Sequence, residues 1–431
     1  MQVYLTTLGC RLNEAEVESW ASAFQRQGHA LTAQADSADL VVINTCAVTE
    51  EAARKSRQLI RRVQRQNPHA KLVVSGCFVS LNPTQALEGV DVVVSNRDKD
   101  RLVAIATDTL GVPARPEFAS EPGEIAMLPR RRNRAFVKVQ DGCRHRCTFC
   151  VVTIARGEER SRQIGDVVAQ INALTAQGVK EVVLTGVHLG AYGRDLGSDL
   201  AELIRAVLND TDCPRLRFGS LEPWDLPPKF FRLFAEARLM PHLHLPLQSG
   251  SDRVLRRMAR RCRTRHFETL VERARSEIAD FQVSTDIIVG FPGETDREWQ
   301  EGLQFIEGVG FLHLHIFPYS PRPYTQASRF TEQVPDAIKR QRAIELHALA
   351  RRMKTGVLSA YLGREFAVLW EAVRPADTQG EIRYLGYTPN FLRVETKPPA
   401  GLVLQNTIQK ARLKAIGQDG EKLIAELAEL R

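Results

Sequence analysis

Short apolar runs alternate with amphipathic stretches along the first hundred residues of the chain. The apolar runs occupy residues 3–8, 40–43, 72–74 and 92–94. Between the first two, residues 13–28 place Val17, Trp20 and Phe24 at helical spacing. Short apolar strands alternating with helices are typical of an open parallel sheet with helices on both faces. We therefore expect an N-terminal α/β unit with a doubly wound parallel sheet.

A second strand–helix series follows residues 113–133, which lack periodicity and are expected to form a linker. Its candidate strands are 135–140, 181–185, 214–219, 242–246, 283–289 and 312–317. Six such units predict a partial (βα)6 barrel. In barrels of this kind the active site lies at the carboxyl ends of the strands.

The pattern changes again near the C-terminus. A basic amphipathic helix is expected from about residue 337 to 356, followed by short β runs at 366–370, 380–384, 391–395, 402–404 and 409–415. These runs predict a small antiparallel β-barrel of the OB-like type, a shape that often binds oligonucleotides. The expected domain boundaries are 1–112, 134–360 and 361–431, with the linker at 113–133.

Composition limits where the protein works. With 43% hydrophobic and 26% charged residues, the chain has the composition of a soluble globular protein. No window approaches the ~20 apolar residues of a membrane helix, and the strand-like start argues against a signal peptide. The expected location is the cytoplasm, without membrane contact. In a reducing compartment, grouped cysteines bind metal or do chemistry more often than they form disulfides.

Basic residues are concentrated in three runs within a net charge of +8. The runs are Arg54, Lys55, Arg57, Arg61, Arg62 and Arg65; Arg130, Arg131, Arg132 and Arg134; and Arg256, Arg257, Arg260, Arg261, Arg263 and Arg265. A single run is usually a solvated helix face. Three of them favour a polyanionic partner, most naturally nucleic acid.

The strongest chemical signal is the CxxxCxxC motif formed by Cys143, Cys147 and Cys150, directly after the first strand of the second series. Thiolates are the ligands of iron–sulfur clusters, and a cubane cluster usually takes four. Three thiols with no fourth nearby leave one iron open to another ligand. The spacing differs from the paired CxxC of a zinc ribbon, although a zinc site or a chance grouping stays as an alternative.

Three further cysteines are distant in sequence but share a topological position. Cys10, Cys46 and Cys77 each follow a predicted strand of the N-terminal sheet. The carboxyl ends of parallel strands lie along one edge, where ligands bind, so these thiols are expected to converge on a second cluster. A single strand-end cysteine would be interpreted as packing. Cys213 and Cys262 lie outside both sets and are expected to be structural.

CxxxCxxC with an aromatic residue before its last cysteine, here Phe149, resembles the radical S-adenosylmethionine (SAM) superfamily. The resemblance implies that the open iron binds SAM and that the reduced cluster cleaves it to a 5′-deoxyadenosyl radical. Further matches stand at successive predicted strand ends, where each could also be an ordinary strand and turn. Besides the catalytic Cys143, Cys147 and Cys150, the residues implied to contact SAM are Phe149, Thr185, Gly186, Ser220, Glu222, Gln248 and Asp286.

Two three-cysteine sets followed by a small barrel resemble the methylthiotransferases over nearly the whole chain. The resemblance implies an auxiliary cluster in the N-terminal domain and a C-terminal TRAM domain that holds RNA. The segments that match best belong to the branch acting on threonylcarbamoyladenosine in tRNA. They are residues 7–13, 44–49, 140–143 and 317–323. The family usually continues Gly-Thr-Pro-Ala after the last of these, whereas this chain has Tyr324-Thr325-Gln326-Ala327.

The implied reaction is methylthiolation of carbon 2 of the adenine ring. One SAM would methylate a sulfur carried at the auxiliary cluster, and a second SAM would supply the radical. The resemblance implies two 4Fe–4S clusters, SAM, the tRNA anticodon arm, a reductant such as flavodoxin or ferredoxin, and a monomer. Three alternatives stay open: isopentenyladenosine in tRNA as substrate, an aspartate of a ribosomal protein as substrate, or a non-catalytic RNA-binding protein with structural clusters.

Overall fold

The computed structural model describes residues 1–82, 88–111, 133–227, 229–374, 382–399 and 401–428. The expected linker at 113–133 lies outside these residues, apart from Asn133, as do Arg130, Arg131 and Arg132 of the second basic run. Among the helices of the described ranges, none combines the length and apolar character needed to cross a membrane.

The N-terminal unit is built on a five-stranded sheet. Its strands are β1 (Gln2–Thr7), β2 (Ala30–Leu31), β3 (Leu40–Thr45), β4 (Lys71–Gly76) and β5 (Val92–Val94). They lie in the order β2-β1-β3-β4-β5, and every neighbouring pair is parallel. This is a doubly wound order, in which the direction of winding reverses between β1 and β3.

Helices cover both faces of this sheet. They are α1 (Arg11–Arg26), α2 (Glu50–Gln66), α3 (Cys77–Leu81) and α4 (Leu102–Thr109). Trp20 and Phe24 of α1 pack with α4 on one face, whereas Leu59 and Ile60 of α2 pack on the other. A strand covered on both sides needs a continuous apolar sequence, and β3 is buried along its whole length. The expected parallel α/β unit is confirmed.

The central region holds six longer parallel strands and one short hairpin. In chain order these are β6 (Arg134–Lys138), the hairpin strands β7 (Gln140–Asp141) and β8 (Arg160–Ser161), β9 (Glu181–Thr185), β10 (Arg215–Phe218), β11 (His242–His244), β12 (Gln282–Val289) and β13 (His313–Pro318). They form two three-stranded parallel sheets, β10-β9-β6 and β11-β12-β13. Isolated parallel bridges, such as Ser220 with His244, join the two sheets.

One side of these central sheets is packed against helices. The helices are α5 (Val152–Arg156), α6 (Ile164–Ala176), α7 (Leu200–Asp210), α8 (Asp252–Arg257), α9 (Thr264–Glu277) and α10 (Asp296–Val309). Alternate strand residues, among them Leu184, Leu216 and Val283, enter the largest apolar core of the protein. The residues between them point to the opposite side, which we call the inner face, because side chains alternate along a strand.

A long helix leads to the C-terminal unit. After α11 (Asp336–Ser359) come β14 (Glu365–Arg374), β15 (Arg383–Tyr387), β16 (Arg393–Thr396), β17 (Thr407–Ile416) and β18 (Leu423–Leu427). They close into a barrel in the order β14-β15-β16-β18-β17, and only β16 and β18 pair in parallel. The expected small closed barrel is confirmed. The expected run at 402–404 is not a strand, however, and β18 is not among the predicted strands.

The C-terminal barrel packs against the amino ends of the central strands. Arg217 Nη2 donates to the carbonyl of Pro389 at 3.0 Å, and the ring of His242 stacks on Phe391 with centroids 4.6 Å apart. Arg134 lies between Glu181 (2.6 Å) and Glu371 (2.8 Å). The barrel therefore closes the end of the sheets opposite to their carboxyl ends.

The N-terminal unit approaches the central sheets from the inner face. Ala15 of α1 packs on Phe136 and Val183, and the Arg11 guanidinium lies over the Phe136 ring, 5.0 Å from its centroid. Because α1 begins directly after Cys10, this packing carries the edge of the N-terminal sheet to the carboxyl ends of the central strands.

Candidate active site

The CxxxCxxC loop lies between β7 and α5, and its three thiols face one another. Burial, with a smaller effect of the neighbouring Cys147 thiol, raises the pKa of Cys143 to about 12 and that of Cys150 to about 11. The Cys150 amide donates to the Cys147 carbonyl at 3.0 Å. Arg260 Nη1 lies 3.8 Å from Cys147 Sγ. The loop thus presents three thiols to a common space, and the Arg260 guanidinium reaches the same space from the segment after α8.

Glu222 supplies a carboxylate beside this trio. Its charge acts on the Cys143 thiol, and burial raises the pKa of Glu222 itself. Its Oε2 is buried and finds no hydrogen-bond partner among the described residues; the imidazole Nε2 of His188 is 4.0 Å away. An unpaired buried carboxylate oxygen is costly. This oxygen is therefore available to a cationic ligand at the trio.

A hydrogen-bonded group of imidazoles fixes the position of the CxxxCxxC loop. Asp225 Oδ2 lies 2.7 Å from His188 Nε2 and 3.3 Å from His145 Nε2, and Arg194 contacts the other oxygen at 2.7 Å. Burial opposes protonation of His188, yet hydrogen bonds to Asp225 and Glu159 leave its pKa raised. Sequence reasoning missed this group, because His145 alone lies inside the motif.

The other residues expected to contact SAM lie at or near the carboxyl ends of the strands. Thr185 ends β9 and is buried, and a Cβ added to Gly186 would stand 3.0 Å from Gln140 Oε1. Ser220 is exposed just after β10, and the backbone of Gln248 pairs with β12. The ring of Phe149 meets Phe291 edge-on at 6.5 Å. The six parallel strands bring these residues to one end of the sheets.

The segment that departs from the family pattern packs directly against the cluster loop. The Ala327 amide donates to the Thr148 carbonyl at 2.8 Å. Tyr324 adopts φ 73° and its side chain is exposed. Glycine adopts this left-handed conformation without a steric penalty, whereas tyrosine pays about 1 kcal/mol. A glycine would suit this backbone conformation, whereas Tyr324 adopts it under strain.

The structure also brings Cys10, Cys46 and Cys77 together, at the carboxyl ends of β1, β3 and β4. Burial raises the pKa of Cys46 to about 11, and the nearby Cys77 and Cys10 thiols add to the increase. Ser56, on α2, accepts from the Cys46 amide at 3.1 Å and donates to its carbonyl at 2.8 Å. Three thiols thus share one site at the edge of the sheet.

Two glycines allow this close approach. Gly9 (φ 114°) precedes Cys10, and a Cβ there would lie 2.7 Å from the Cβ of Cys46. Gly76 (φ 109°) precedes Cys77, and its Cβ would lie 2.2 Å from the carbonyl oxygen of Thr45. Only glycine combines positive φ with contacts this short.

The two thiol trios are neighbours. The short helix α5 begins two residues after Cys150 and packs on α3, which starts with Cys77. Asn96 links the two, because its Nδ2 lies 2.7 Å from the Ala155 carbonyl and 3.8 Å from Cys77 Sγ. The Cys77 thiol is close enough to raise the pKa of Cys150, after the larger effect of burial. The two trios therefore lie on neighbouring, directly packed segments.

Polar side chains line the inner face beside the trios. Asp286 Oδ1 lies 3.2 Å from His244 Nε2 and 3.0 Å from His315 Nδ1. Asp286 is in the middle of β12, deeper in the sheet than the other residues expected to contact SAM. His315 is 47% exposed although it lies in the middle of β13, so this wall borders open space.

Of the three basic runs, only the first is wholly a surface feature. Arg61, Arg62 and Arg65 are exposed on α2. In the other runs, Arg134 lies between two glutamates with only 14% of its side chain exposed, and Arg260 is buried beside Cys147. The expected basic surface is therefore wrong for these two residues, which act inside the protein.

The remaining cysteines stand apart from both trios. Cys213 and Cys262 are 2% and 3% exposed and lie in the large apolar core. Cys213 Sγ donates to the carbonyl of Arg215 at 3.1 Å. Their surroundings are those of packed side chains.

Two family models match the chain. One, described as "Uncharacterized protein family UPF0004", matches residues 2–95, and the Radical SAM superfamily matches residues 137–306. Threonylcarbamoyladenosine tRNA methylthiotransferase MtaB of Thermotoga maritima is 36% identical over 379 residues, covering 86% of each chain. The protein of the same name from Bacillus subtilis is 34% identical and covers 94% of this chain and 93% of its own. This chain belongs to the radical SAM methylthiotransferase family.

The family includes relatives with a second substrate. The tRNA-2-methylthio-N(6)-dimethylallyladenosine synthase of Bacillus subtilis is 31% identical over 451 residues, covering 99% of this chain and 87% of its own. Among solved structures, the radical SAM methyltransferase TsrM of Kitasatospora setae superposes with a TM-score of 0.57 at 17% identity, covering 76% of this chain and 74% of its own. That likeness concerns the fold alone.

As a radical SAM methylthiotransferase, the chain uses SAM and 4Fe–4S clusters. The residues present fit these groups. Each trio offers three thiols in a shared space, which is one fewer than a cubane's four irons. The orphaned Glu222 Oε2 beside Cys143 suits the ammonium group of SAM. Raised thiol pKa values mean that protons must leave when the thiolates bind metal.

Proposed function

We propose that this methylthiotransferase acts on tRNA and methylthiolates carbon 2 of N6-threonylcarbamoyladenosine next to the anticodon. The observation that carries the proposal is the proximity of two thiol trios on either side of α5, at the carboxyl ends of the strands. A reaction that joins a sulfur group to an unactivated ring carbon needs a sulfur site next to a radical site. One trio alone would supply only one of them.

Each trio has a distinct part in this proposal. Cys143, Cys147 and Cys150 hold the cluster that binds SAM, and Cys10, Cys46 and Cys77 hold the auxiliary cluster. When bound, these groups supply the radical and the methylthio sulfur. Glu222 receives the SAM ammonium, and Phe149, Thr185, Gly186, Ser220 and Gln248 border the same space.

The polar inner wall supports threonylcarbamoyladenosine as the substrate. His244, Asp286 and His315 offer hydrogen-bonding groups to the carboxylate, hydroxyl and urea of a threonylcarbamoyl substituent. An apolar isopentenyl group would cover Asp286 Oδ2 and His315 Nε2, two atoms that the three side chains do not use among themselves, and such sites reject analogues that lack polar atoms. Asp286 therefore suits the substrate better than SAM, because it lies deeper in the sheet than the strand ends.

The RNA-binding surfaces belong to two units. The exposed arginines of α2 lie on the unit that carries the auxiliary trio, and the C-terminal barrel, as a TRAM-type domain, holds another part of the anticodon arm. The target base must leave its stack to reach the inner face. In this proposal the six central strands form a partial (βα)6 barrel, and the enzyme is a cytoplasmic monomer reduced by flavodoxin or ferredoxin.

The proposed substrate is tested by expressing the chain in bacterial cells that lack methylthiotransferases for both modified adenosines. Mass spectrometry of tRNA nucleosides should then show 2-methylthio-N6-threonylcarbamoyladenosine, with a matching decrease of the unmethylthiolated nucleoside. A Cys150→Ala variant serves as the matched control and should give no product. The appearance of 2-methylthio-N6-isopentenyladenosine instead would contradict the substrate, and methylthiolation of ribosomal protein alone would contradict tRNA as the target.

Neutralising α2 should weaken tRNA binding. The Arg61→Gln/Arg62→Gln variant removes two exposed charges, each expected to stabilise a bound phosphate by about 1 kcal/mol, so affinity should fall roughly thirtyfold. The slope of log affinity against log salt should also decrease by about one for each phosphate that the variant no longer binds. Arg205→Gln/Arg297→Gln, on the outer helices, is the matched control. An equal decrease in affinity for both variants would exclude specific RNA binding at α2.

A further inference from the structure

A network of buried charged side chains joins the N-terminal unit to the central sheets. Lys99 Nζ lies 2.6 Å from Glu16 Oε2, and Arg156 Nη1 lies 2.9 Å from both Glu16 Oε1 and Asp141 Oδ1. Lys138 Nζ lies 3.5 Å from Asp141 and 3.8 Å from Glu16. The side chains of Glu16, Lys99 and Arg156 are at most 2% exposed. Charges buried this deeply are retained only when they are compensated.

The network shares its two buried carboxylates among three cations. Its cations are Lys99, Arg156 and Lys138, and its buried anions are Glu16 and Asp141. Lys138 also lies 2.8 Å from Asp100, a carboxylate that is 73% exposed, and this contact compensates the charge of Lys138 at the surface. Glu16 and Asp141, which Arg156 contacts, are each shared with another cation, so the Arg156 charge also acts on groups outside the network.

Arg156 directs this charge towards the auxiliary thiols. Its Nη2 donates to Asn13 Oδ1 at 2.9 Å, and the same oxygen lies 3.8 Å from Cys10 Sγ. Burial raises the pKa of Cys10, and the Arg156 charge opposes that increase. Burial lowers the pKa of Arg156, but Glu16 and, after it, the Cys77 thiol raise it well above its ordinary value. The charge of the guanidinium therefore acts on all three auxiliary thiols.

We propose that Arg156 is a positioning residue that supplies the counter-charge of the auxiliary cluster and raises its reduction potential. The inference rests on the proposed function only in assigning that cluster to Cys10, Cys46 and Cys77. Three thiolates give a bound cubane a net negative charge, and reduction adds one more. A buried guanidinium stabilises the reduced form more than the oxidised form, because Coulomb interactions are strong where water is excluded.

The arrangement at the other trio provides an internal comparison. Arg260 is buried, lies over the Trp224 ring and places Nη1 3.8 Å from Cys147 Sγ. Each trio thus has its own guanidinium, and the two come from different elements. Substitution of each arginine should affect the cluster beside it and leave the other cluster unchanged.

The proposal is tested on full-length, anaerobically reconstituted protein by redox titration followed by electron paramagnetic resonance. The auxiliary cluster is the SAM-insensitive signal, identified as the one that does not change when S-adenosylhomocysteine, which has no methyl group to transfer, is added in place of SAM. Arg156→Met should lower the ratio of reduced to oxidised auxiliary cluster at a fixed potential about tenfold, equivalent to about 59 mV for one electron. Arg156→Lys, which keeps the charge, should stay close to wild type. Arg260→Met should leave this signal unchanged and shift the SAM-sensitive one.

A second variant tests the sign of the effect. Glu16 also acts on Cys10 but carries the opposite charge. Glu16→Gln should therefore raise the potential of the SAM-insensitive signal. If one of the two variants does not load iron, the other still decides the question. An unchanged potential in Arg156→Met, or shifts of the same sign in both variants, would overturn the proposal.

The titration also separates this inference from the proposed function. A wild-type protein with no SAM-insensitive signal would contradict the assignment of the auxiliary cluster itself. Two signals in the wild type, with no response of either to Arg156→Met, would leave the proposed function intact and contradict the role of Arg156 alone. Neither readout depends on tRNA or on product formation.

Discussion

Replacing Cys143, Cys147 and Cys150 together with alanine is expected to abolish SAM cleavage. Reconstituted wild-type protein should bind about eight irons as two cubanes, and the triple variant about four. The physical reason is that the three thiols hold the cluster whose fourth iron binds SAM. Without that cluster, Glu222 and the neighbouring strand ends have no bound SAM to orient. Iron analysis and chromatographic detection of 5′-deoxyadenosine measure the two effects.

The matched control for this variant changes the two cysteines that stand apart from both trios. Cys213→Ala and Cys262→Ala lie in the apolar core and should keep the full iron content and SAM cleavage. Each removes a small buried side chain and should cost about 1 kcal/mol of stability. Continued SAM cleavage in the triple variant would exclude the CxxxCxxC loop as the radical site.

Replacing Cys10, Cys46 and Cys77 with alanine is expected to separate the two half-reactions. The iron content should again fall to about four per chain, because one cubane no longer binds. SAM cleavage should persist, since the other trio, Glu222 and the imidazoles around Asp225 are untouched. Methylthiolated nucleoside should disappear, because the sulfur site is gone. Nucleoside mass spectrometry and 5′-deoxyadenosine assays on the same sample distinguish these outcomes.

Two results would contradict this expectation. Unchanged iron would mean that the three strand-end thiols are packing residues, as a single strand-end cysteine would be. Loss of SAM cleavage together with product would mean that the trios cannot function separately. The second result would be informative in its own right, because Asn96 and α5 connect Cys77 with the loop that carries Cys150.

Local sequence patterns determined much of the architecture. Apart from the two-residue β2, apolar runs located the strands of both parallel regions within one or two residues, because a buried strand needs a continuous apolar stretch. The placement of Cys10, Cys46 and Cys77 directly after three such runs was enough to predict their convergence, since parallel strands end at one edge. The CxxxCxxC spacing of Cys143, Cys147 and Cys150 was enough to indicate three ligands of an iron–sulfur cluster.

Other features could not be predicted from the sequence because their local pattern was ambiguous. β18 lies in the sequence Leu423–Leu427, where leucine, alanine and glutamate also suit a helix, and it becomes a strand because β17 and β16 offer it partners. Arg134 and Arg260 have the composition of a basic surface run. Their burial follows from the glutamates, the Trp224 ring and the Cys147 thiol that the fold places beside them.

The sequence by itself determined where the chemistry lies, namely which cysteines group together and at which end of the sheets they stand. Only the tertiary structure decided which charged side chains lie beside the cysteines and compensate one another. Arg156 and Glu16 are separated by 140 positions, and Glu222 meets the cluster loop from another strand. The hydrophobic periodicity of a sequence indicates which face of a helix or strand is buried. Coulomb energy depends on distances between elements, which are set only when the units pack together.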